Sequence, residues 1–541
     1  MLRVFDYAAH GLAPPRRRPE IPGGGPQTVA DVLAPGCARD PGRLALVGRH
    51  GRLTYAELDA AADRAAQALA AMGVAPGDRV AACLGNDVDI VVGFLGAMRV
   101  GAIWVGVNRV LAPPEKVFLL NDSGARVLLA TPEVAAELLA RRDALAKPVE
   151  VAVVDHGAPD RGWLARLAAA PAVRPDAAID PFAPAAIAYT SGTTGHPKGA
   201  VHSQHNMLLP GAVSLASGSH PPGLPQGVVL PMTILNLVIL GPLTAFQHAV
   251  ACVAMDRVDP LGVAAWVRDE RVSSFAAVPT LFHDLLTHPE VEPADLAPLV
   301  APMVGGAECP EEFRRLYRER FGSEVAIGYG MTEAPTAVTR AEGEPAPEPG
   351  LCGRALPQIE ITIRDEAGRE LPPGEEGEIC VGPARQDAWA GIYTPMLGYW
   401  NRPDATAEAL RGGCYHTGDL GVLRQDGTLF IRGRRSELIL RGGANVYPAE
   451  VERVLKQHPG VADAAVLGIP DTRLGERVVA VVVLEPGADA TPDALRAHCL
   501  SELARYKAPE RIAIAAELPK NAMSKVIKPR LAPLFADRRA D

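Results

Sequence analysis

The chain has 541 residues, 48% hydrophobic and 22% charged. At about 150 residues per domain, that length holds two to four domains; it excludes a binding peptide, and the composition excludes wholesale disorder or a fibre. A formal net charge of −9 argues against nucleic acid as a partner, because neutralising phosphates needs a basic face. The eight cysteines are scattered without close pairs. They offer neither a disulfide framework nor zinc-ligand spacing, and they point to a reducing, cytoplasmic compartment.

Residues 1–30 read as a Gly/Pro-rich lead without a hydrophobic targeting core, and Arg16, Arg17 and Arg18 as a solvated basic cluster. Thr54 with Glu57 three residues later forms a capping box that starts a helix running to Ala71. Strand-like 79–84, helical 88–99 and strand-like 103–107, 126–130 and 149–154 follow. This alternation predicts layered α/β architecture.

Residues 200–255 contain no Asp, Glu, Lys or Arg, so a membrane span has to be weighed. A spanning helix needs about 20 mainly apolar residues. Here Pro210, Pro221, Pro222, Pro225, Pro231 and Pro242 interrupt the run, so we expect no integral membrane segment. From 351 to 432 the texture changes to short strands and turns, with Asp426-Gly427 marking a hairpin between 421–424 and 429–432. The last hundred or so residues predict a small α+β domain: helix 449–457, strands 464–467 and 478–484, helix 491–503 and strand 511–515.

The most specific local signal is YTSGTTGHPKG at 189–199, directly after the apolar strand 185–188. Gly192, Gly195 and Gly199 let backbone N–H groups turn inward, Thr190, Ser191, Thr193 and Thr194 add hydroxyls, and Lys198 adds charge. These are the ingredients of a polyphosphate cradle. The spacing differs from a Walker A loop, in which Gly directly precedes Lys.

The string resembles the phosphate loop of the adenylate-forming superfamily of acyl-CoA synthetases, nonribosomal adenylation domains and beetle luciferases, most of all the bacterial acyl-CoA synthetases. Further matches follow in order: GGA at 305–307, YGMTE at 329–333, GYW at 398–400, YHTGDL at 415–420, GR at 433–434, GGANVYPAE at 442–450 and LPKNAMSK at 518–525. The resemblance covers about residues 30–535. It implies an α/β fold in which residues 31–435 form an AMP-binding body of two α/β sheet subdomains and a β-barrel-like subdomain. Residues 436–541 form a small mobile α+β domain carrying the catalytic lysine.

A carboxylate is a poor acyl donor, and joining it to AMP with loss of pyrophosphate makes a mixed anhydride that a thiol can attack. The site has to align two anions, which calls for cations and positioned donors. By resemblance, Thr193 and the loop N–H groups hold the outer phosphates of ATP with help from Lys198, and Thr332 contacts the α-phosphate. Glu333, with Thr193, serves Mg²⁺, a hard cation suited to oxygen ligands. Tyr329 covers one face of the adenine and Gly305, Gly306 and Ala307 the other, while Asp419 and Arg434 take the ribose. Lys525 neutralises charge as the acyl-phosphate bond forms. Gly442 and Gly443 line the tunnel for the pantetheine arm of coenzyme A, and the hinge falls at Ser436. Singly, each of these residues has an ordinary structural reading; the ordered set does not. Arg432, Arg435 and Arg441 read more readily as solvated than as catalytic.

Three positions depart from the family pattern. Ser436 stands where Asp or Lys is usual, and Ser524 where Gly precedes the lysine. Thr233 and Ile234 replace an aromatic and a histidine, which suggests a roomier acyl pocket walled by Ile234, Leu235 and Gly330. The expected activity is therefore ATP-dependent ligation of a small-molecule hydrophobic carboxylic acid to CoA. A stand-alone enzyme loading an acyl carrier protein, and a non-catalytic nucleotide-binding regulator, are the alternatives.

Overall fold

A computed structural model describes residues 5–190, 197–305, 311–341, 348–441, 444–471, 474–520 and 526–535. The chain forms two compact units, Met1–Thr362 with Cys380–His416, and Ile363–Ile379 with Thr417–Asp541.

The first unit is built on a seven-stranded sheet. Its order is Gly398–Tyr399, Lys198–Ser203, Pro184–Thr190, Ile103–Gly106, Arg79–Cys83, Val127–Ala130 and Glu150–Val153. The last five strands run parallel, in registers such as Ala81↔Val105 and Ala81↔Leu128, whereas Lys198–Ser203 returns antiparallel on Pro184–Thr190. A second sheet joins the hairpin of Leu44–Gly48 and Gly51–Thr54 to Cys252–Ala254 and Gln226–Val228. The alternation read from sequence is thus observed as two α/β sheets. The capping box at Thr54 and Glu57 starts Tyr55–Ala71. Helix Val88–Arg99 is buried along its whole length. The one cation at its end, Arg99, donates to Asp63 at 2.7 Å and pairs with Asp59, as a buried charge requires. Gly96 lets this helix lie against Tyr55–Ala71, because a Cβ there would come 2.5 Å from that of Ala65.

Most of the uncharged stretch becomes interior. It supplies helix Gln204–Ser217, the short helices Leu235–Val238 and Thr244–Gln247 joined by a π-turn at Ile239–Leu243 that holds Pro242, and two strands of the second sheet. Among the described residues no helix is long and apolar enough to cross a membrane. Much of the charge-free run is buried within the protein, while 215–219 and 222–224 stay exposed.

The turn-rich region 351–432 carries strands Leu351–Ala355, Ile359–Arg364, Glu376–Pro383, Tyr415–Leu423 and Thr428–Arg434. The Asp426-Gly427 signal forms the expected hairpin, with Gly427 at φ +83° and the Asp426 carboxylate accepting from the Thr428 N–H at 3.0 Å.

In the second unit, Val461–Asp471 and Gly475–Leu484 pair antiparallel, and Arg511–Ile514 adds parallel. Successive side chains separate cleanly. Ala464, Val466, Val478, Ala480 and Val482 pack with Val451, Val454, Leu455 and Leu495 from the helices Pro448–Lys456 and Pro492–Glu502. Ala465, Leu467, Val479 and Val481 face Leu518, Leu531 and Phe535 of the C-terminal segment. Both faces of this sheet are covered, which explains the unbroken apolar run at 478–484 in the strand Gly475–Leu484.

Candidate active site

In the first unit the phosphate-loop candidates sit at a strand junction. Thr190 ends Pro184–Thr190, Lys198 begins Lys198–Ser203, and the two are register partners, with the Thr190 hydroxyl donating to the Lys198 carbonyl at 3.4 Å. The loop between them thus leaves and re-enters the sheet at one point. Ser191, Gly192, Thr193, Thr194 and Gly195 lie outside the described residues. Gly199 has a packing reason of its own, because a Cβ there would come 2.5 Å from the Ile187 side chain and 3.2 Å from the Tyr189 ring.

Thr332 and Glu333 sit at the tip of a tight hairpin in which Gly330–Met331 pairs with Thr336–Ala337. Gly330 is obligatory for this turn: a Cβ would meet the Thr336 carbonyl oxygen at 2.1 Å. Thr336 itself adopts φ +68°, a strained conformation for a β-branched residue and one that gathers at functional sites. Tyr329 is anchored just before the hairpin, its N–H donating to the Thr339 hydroxyl at 3.0 Å. Gly305 follows Met303–Val304, its N–H donating to the Ala277 carbonyl at 3.1 Å, and a Cβ there would meet open space. Gly306 and Ala307 lie outside the described residues.

Sequence reasoning assigned no role to Tyr399, although it lies in the quoted GYW motif. Its hydroxyl donates to the Glu333 carboxylate at 3.0 Å, and the Lys198 ammonium lies 5.3 Å from its ring centroid. An aromatic ring thus links a fixed anion to a cation. Tyr415 packs in the same cluster; burial, and then the Glu333 charge, push its hydroxyl well above the usual range, so it stays a neutral phenol. Behind the hairpin, burial drives His202 down to about 4, with the Thr332 backbone a smaller opposing influence, so the imidazole is neutral near pH 7.

The acyl-wall candidates lie where a parallel strand ends. A Cβ on Gly106, the last residue of Ile103–Gly106, would overlap the Thr233 carbonyl at 1.9 Å. The segment beginning at Thr233 therefore crosses the carboxyl edge of the sheet, the usual ligand side of an open α/β sheet. Leu235 is buried and Ile234 half-buried. Asn86, which the sequence reading passed over, fastens this region. Its amide donates to the carbonyls of Val228, Leu230 and Met255 at 3.0–3.2 Å and accepts from the Met232 N–H at 2.8 Å. The fold also gathers Cys380, Cys414 and His416, whose ligand atoms all lie within 4.8 Å, a grouping hidden by their linear spacing.

In the second unit, Asp419 and Arg434 are register partners in the hairpin, with Arg434 Nε 3.2 Å from the Asp419 carboxylate. Gly418 precedes Asp419 at φ +73°, its N–H donating to the Glu378 carboxylate at 3.2 Å. The Thr417 hydroxyl accepts from the Asp419 N–H at 3.0 Å and donates to the Ile379 carbonyl at 2.8 Å. Ser436 occupies the 3-10 turn Arg435–Glu437. Of the doubtful arginines, Arg435 pairs with Glu366 at 3.0 Å and Arg441 with Glu510, both in structural ion pairs. Gly442, Gly443, Ser524 and Lys525 lie outside the described residues. The chain on either side of 521–525 is closed by a Lys520↔Val526 bridge and by the Ile527 N–H donating to the Pro519 carbonyl at 2.7 Å.

A family model described as AMP-binding enzyme matches residues 33–400, and one described as AMP-binding enzyme C-terminal domain matches residues 450–525. The long-chain-fatty-acid–CoA ligase FadD13 of Mycobacterium tuberculosis is 34% identical over 88% of this chain and 92% of its own. The fatty acid–[acyl-carrier-protein] ligase ScoC of Streptomyces coeruleorubidus is 34% identical over 94% of this chain and 96% of its own. Among solved structures, ATP-bound MatB from Rhodopseudomonas palustris has a TM-score of 0.83 and 29% identity, covering 94% of this chain and 99% of that one. The chain therefore belongs to the AMP-binding enzyme family and is an adenylate-forming, ATP-binding acid–thiol ligase.

Proposed function

We propose that this ligase activates a hydrophobic carboxylic acid and passes its acyl group to coenzyme A. In the first half-reaction a carboxylate oxygen attacks the α-phosphorus of ATP, the bond to the β-phosphate oxygen breaks and pyrophosphate leaves. In the second, the CoA thiol attacks the acyl carbon, the mixed anhydride opens, AMP leaves and the thiol proton passes to solvent.

The observation that carries this reading is the Lys198, Tyr399 and Glu333 arrangement, a cation and an anion held about one aromatic ring at the end of a glycine-rich loop. Glu333 accepts from Tyr399 at one carboxylate oxygen and is a hard oxygen donor, the chemistry that suits Mg²⁺; by the family resemblance Thr193 would supply a hydroxyl oxygen to the same ion. Bound there, Mg²⁺ neutralises phosphate charge. In this reading Thr190, Ser191, Gly192, Thr194 and Gly195 shape the phosphate cradle, Lys198 attracts the outer phosphates and Thr332 orients the α-phosphate. Tyr329 and residues 305–307 hold adenine, and Asp419 with Arg434 the ribose. Lys525 offsets the repulsion between carboxylate and α-phosphate. Gly442 and Gly443 pass the pantetheine arm, with Ser436 as the hinge between an adenylating body, 31–435, and a mobile domain, 436–541. The apolar segment from Thr233 across the sheet edge supports a hydrophobic acid, with Ile234, Leu235 and Gly330 along the acyl path.

A phosphopantetheine thiol on an acyl carrier protein is the second acceptor to consider, favoured by the likeness to ScoC. ATP–pyrophosphate exchange across a panel of hydrophobic acids tests adenylation, and Lys525→Ala should slow it by about 10²-fold or more. Exchange with no acid in the panel, or exchange indifferent to that change, defeats the reading. Thioester formation with free CoA supports the ligase, and transfer confined to a holo-carrier protein replaces CoA as acceptor.

A further inference from the structure

The strand Lys198–Ser203, which re-enters the sheet from the phosphate loop, carries near its end an imidazole that none of the assigned roles uses. His202 is wholly buried, and so is Asn206 in the first turn of the helix Gln204–Ser217 that follows. The orientation of the Asn206 amide is fixed twice. Its oxygen accepts from the Ser203 N–H at 3.0 Å, closing the capping box of the helix, and its nitrogen donates at 3.2 Å to the Pro395 carbonyl, which can only accept. The same nitrogen lies 3.2 Å from His202 Nδ1 and turns its other N–H to it. Nδ1 is therefore an acceptor, and in the neutral imidazole the proton sits on Nε2.

That N–H is left over. Nε2 is buried and has no hydrogen-bond partner among the described residues, a costly state for a polar group. The Thr332 carbonyl is near enough to favour the protonated imidazole, but it is not in hydrogen-bond geometry. The main chain around His202 ties the same strand to the same hairpin. The Leu397 N–H donates to the Val201 carbonyl at 2.7 Å, the Met396 N–H donates to the Glu333 carbonyl at 2.8 Å, and Gly398 is the register partner of Val201. A path of main-chain hydrogen bonds thus runs from 198–203 through 395–398 to the hairpin tip, with Asn206 anchoring it at Pro395. His202 stands beside that path with a donor of fixed direction.

We infer that His202 is a positioning residue for the nucleotide: its Nε2–H engages the Thr332 carbonyl when MgATP seats on the hairpin, and this sets the Thr332 hydroxyl and the Glu333 carboxylate against the phosphates. The inference rests on the reading in which Thr332 serves the α-phosphate and Glu333 the metal. Relief of the leftover N–H then favours the nucleotide-bound hairpin, because the donor gains its acceptor only there. The imidazole acts as a neutral donor, since burial keeps it unprotonated near pH 7, and it adds no charge behind the site. A glutamine amide offers an N–H at a similar reach, whereas a methionine fills the space with no donor at all.

The test is calorimetric titration of the full chain with MgATP, with ATP–pyrophosphate exchange alongside. His202→Met should weaken MgATP binding about five- to tenfold, as the loss of one buried hydrogen bond does, and raise KM for MgATP by the same factor while KM for the acid stays unchanged. His202→Gln should recover most of that loss. MgATP affinity unchanged in His202→Met, an equal loss in His202→Met and His202→Gln, or a parallel rise in KM for the acid, which marks a general disturbance of the fold, overturns the inference. A second measurement does not need His202→Met to fold. In ¹⁵N-histidine NMR spectra of the unaltered chain, with the His202 signals assigned by their loss in His202→Gln, the proton should sit on Nε2 and move downfield when MgATP binds; a proton on Nδ1, or a signal indifferent to MgATP, overturns the inference equally. Because MgATP binding is read without an acid, a chain that behaves as expected here yet exchanges with no acid defeats the proposed reaction and not the role of His202.

Discussion

Two of the charged residues proposed for the site, Glu333 in the first unit and Asp419 in the second, are held in place by opposite means. Glu333 rides on a hairpin tip whose geometry is enforced by the backbone: Gly330 admits the Thr336 carbonyl at a distance no Cβ allows, and Thr336 takes a left-handed conformation. Its side-chain support is the Tyr399 hydroxyl. Asp419 sits in an antiparallel ladder, next to a register shift at Leu420/Gly421, and is held by its partner across the strands, Arg434, and by a short chain through Thr417 to Ile379. The contrast teaches that a strained turn resists changes of side chain but not of backbone, whereas a residue in a strand ladder depends on its side-chain partners.

Three substitutions probe this difference. Gly330→Ala should have the largest effect, because its methyl group forces the hairpin open and displaces Thr332 and Glu333 together. A shift of about 1 Å at reacting groups costs about 10²-fold in rate, and the overpacked turn should lose about 1–3 kcal/mol of stability by denaturant titration. Unchanged exchange activity would remove the backbone argument for Glu333. Asp419→Asn should be intermediate. It removes the charge facing Arg434 and one charge-assisted hydrogen bond, about 1.5–3 kcal/mol, seen as a roughly tenfold or greater rise in KM for ATP with kcat less affected. A fall in kcat alone would mean that Asp419 acts on chemistry and not on nucleotide binding. Tyr399→Phe should be smallest, the loss of one hydrogen bond to a carboxylate held by its own backbone. We expect about a threefold to tenfold higher Mg²⁺ requirement, from roughly 1 kcal/mol. A loss as large as that of Gly330→Ala would show that Glu333 depends on its side-chain support after all.

Much of the fold was legible because its signals are local. The capping box at Thr54 and Glu57, helix Val88–Arg99 and the Asp426-Gly427 hairpin were expected where they occur. The strand Val461–Asp471 runs well beyond the apolar core 464–467 read from sequence, because ladder pairing with Gly475–Leu484 extends it through polar residues. Around the candidate site, Tyr399, Tyr415 and Asn86 carried no signal alone. An aromatic residue or an asparagine means little until the chain brings Glu333 beside Tyr399, or three main-chain carbonyls beside Asn86.

Length, composition and motif order, through the family resemblance that the motifs carry, determined the class of protein: a multidomain α/β enzyme with the chemistry of acyl adenylation. They also supplied the reason to doubt a membrane span in the charge-free stretch, since its prolines break the continuous backbone pairing that a span needs. Tertiary structure decided what that stretch does, as interior helices and strands whose segment from Thr233 crosses the sheet edge. It also decided which dispersed residues meet: Lys198 and Glu333 about Tyr399, Cys380 with Cys414 and His416, and His50 with Asp87 and His156. The physical reason is range. Capping, turn formation and periodicity act over a few residues and are written locally, whereas contacts between groups a hundred residues apart exist only once the sheets have brought their strands into order.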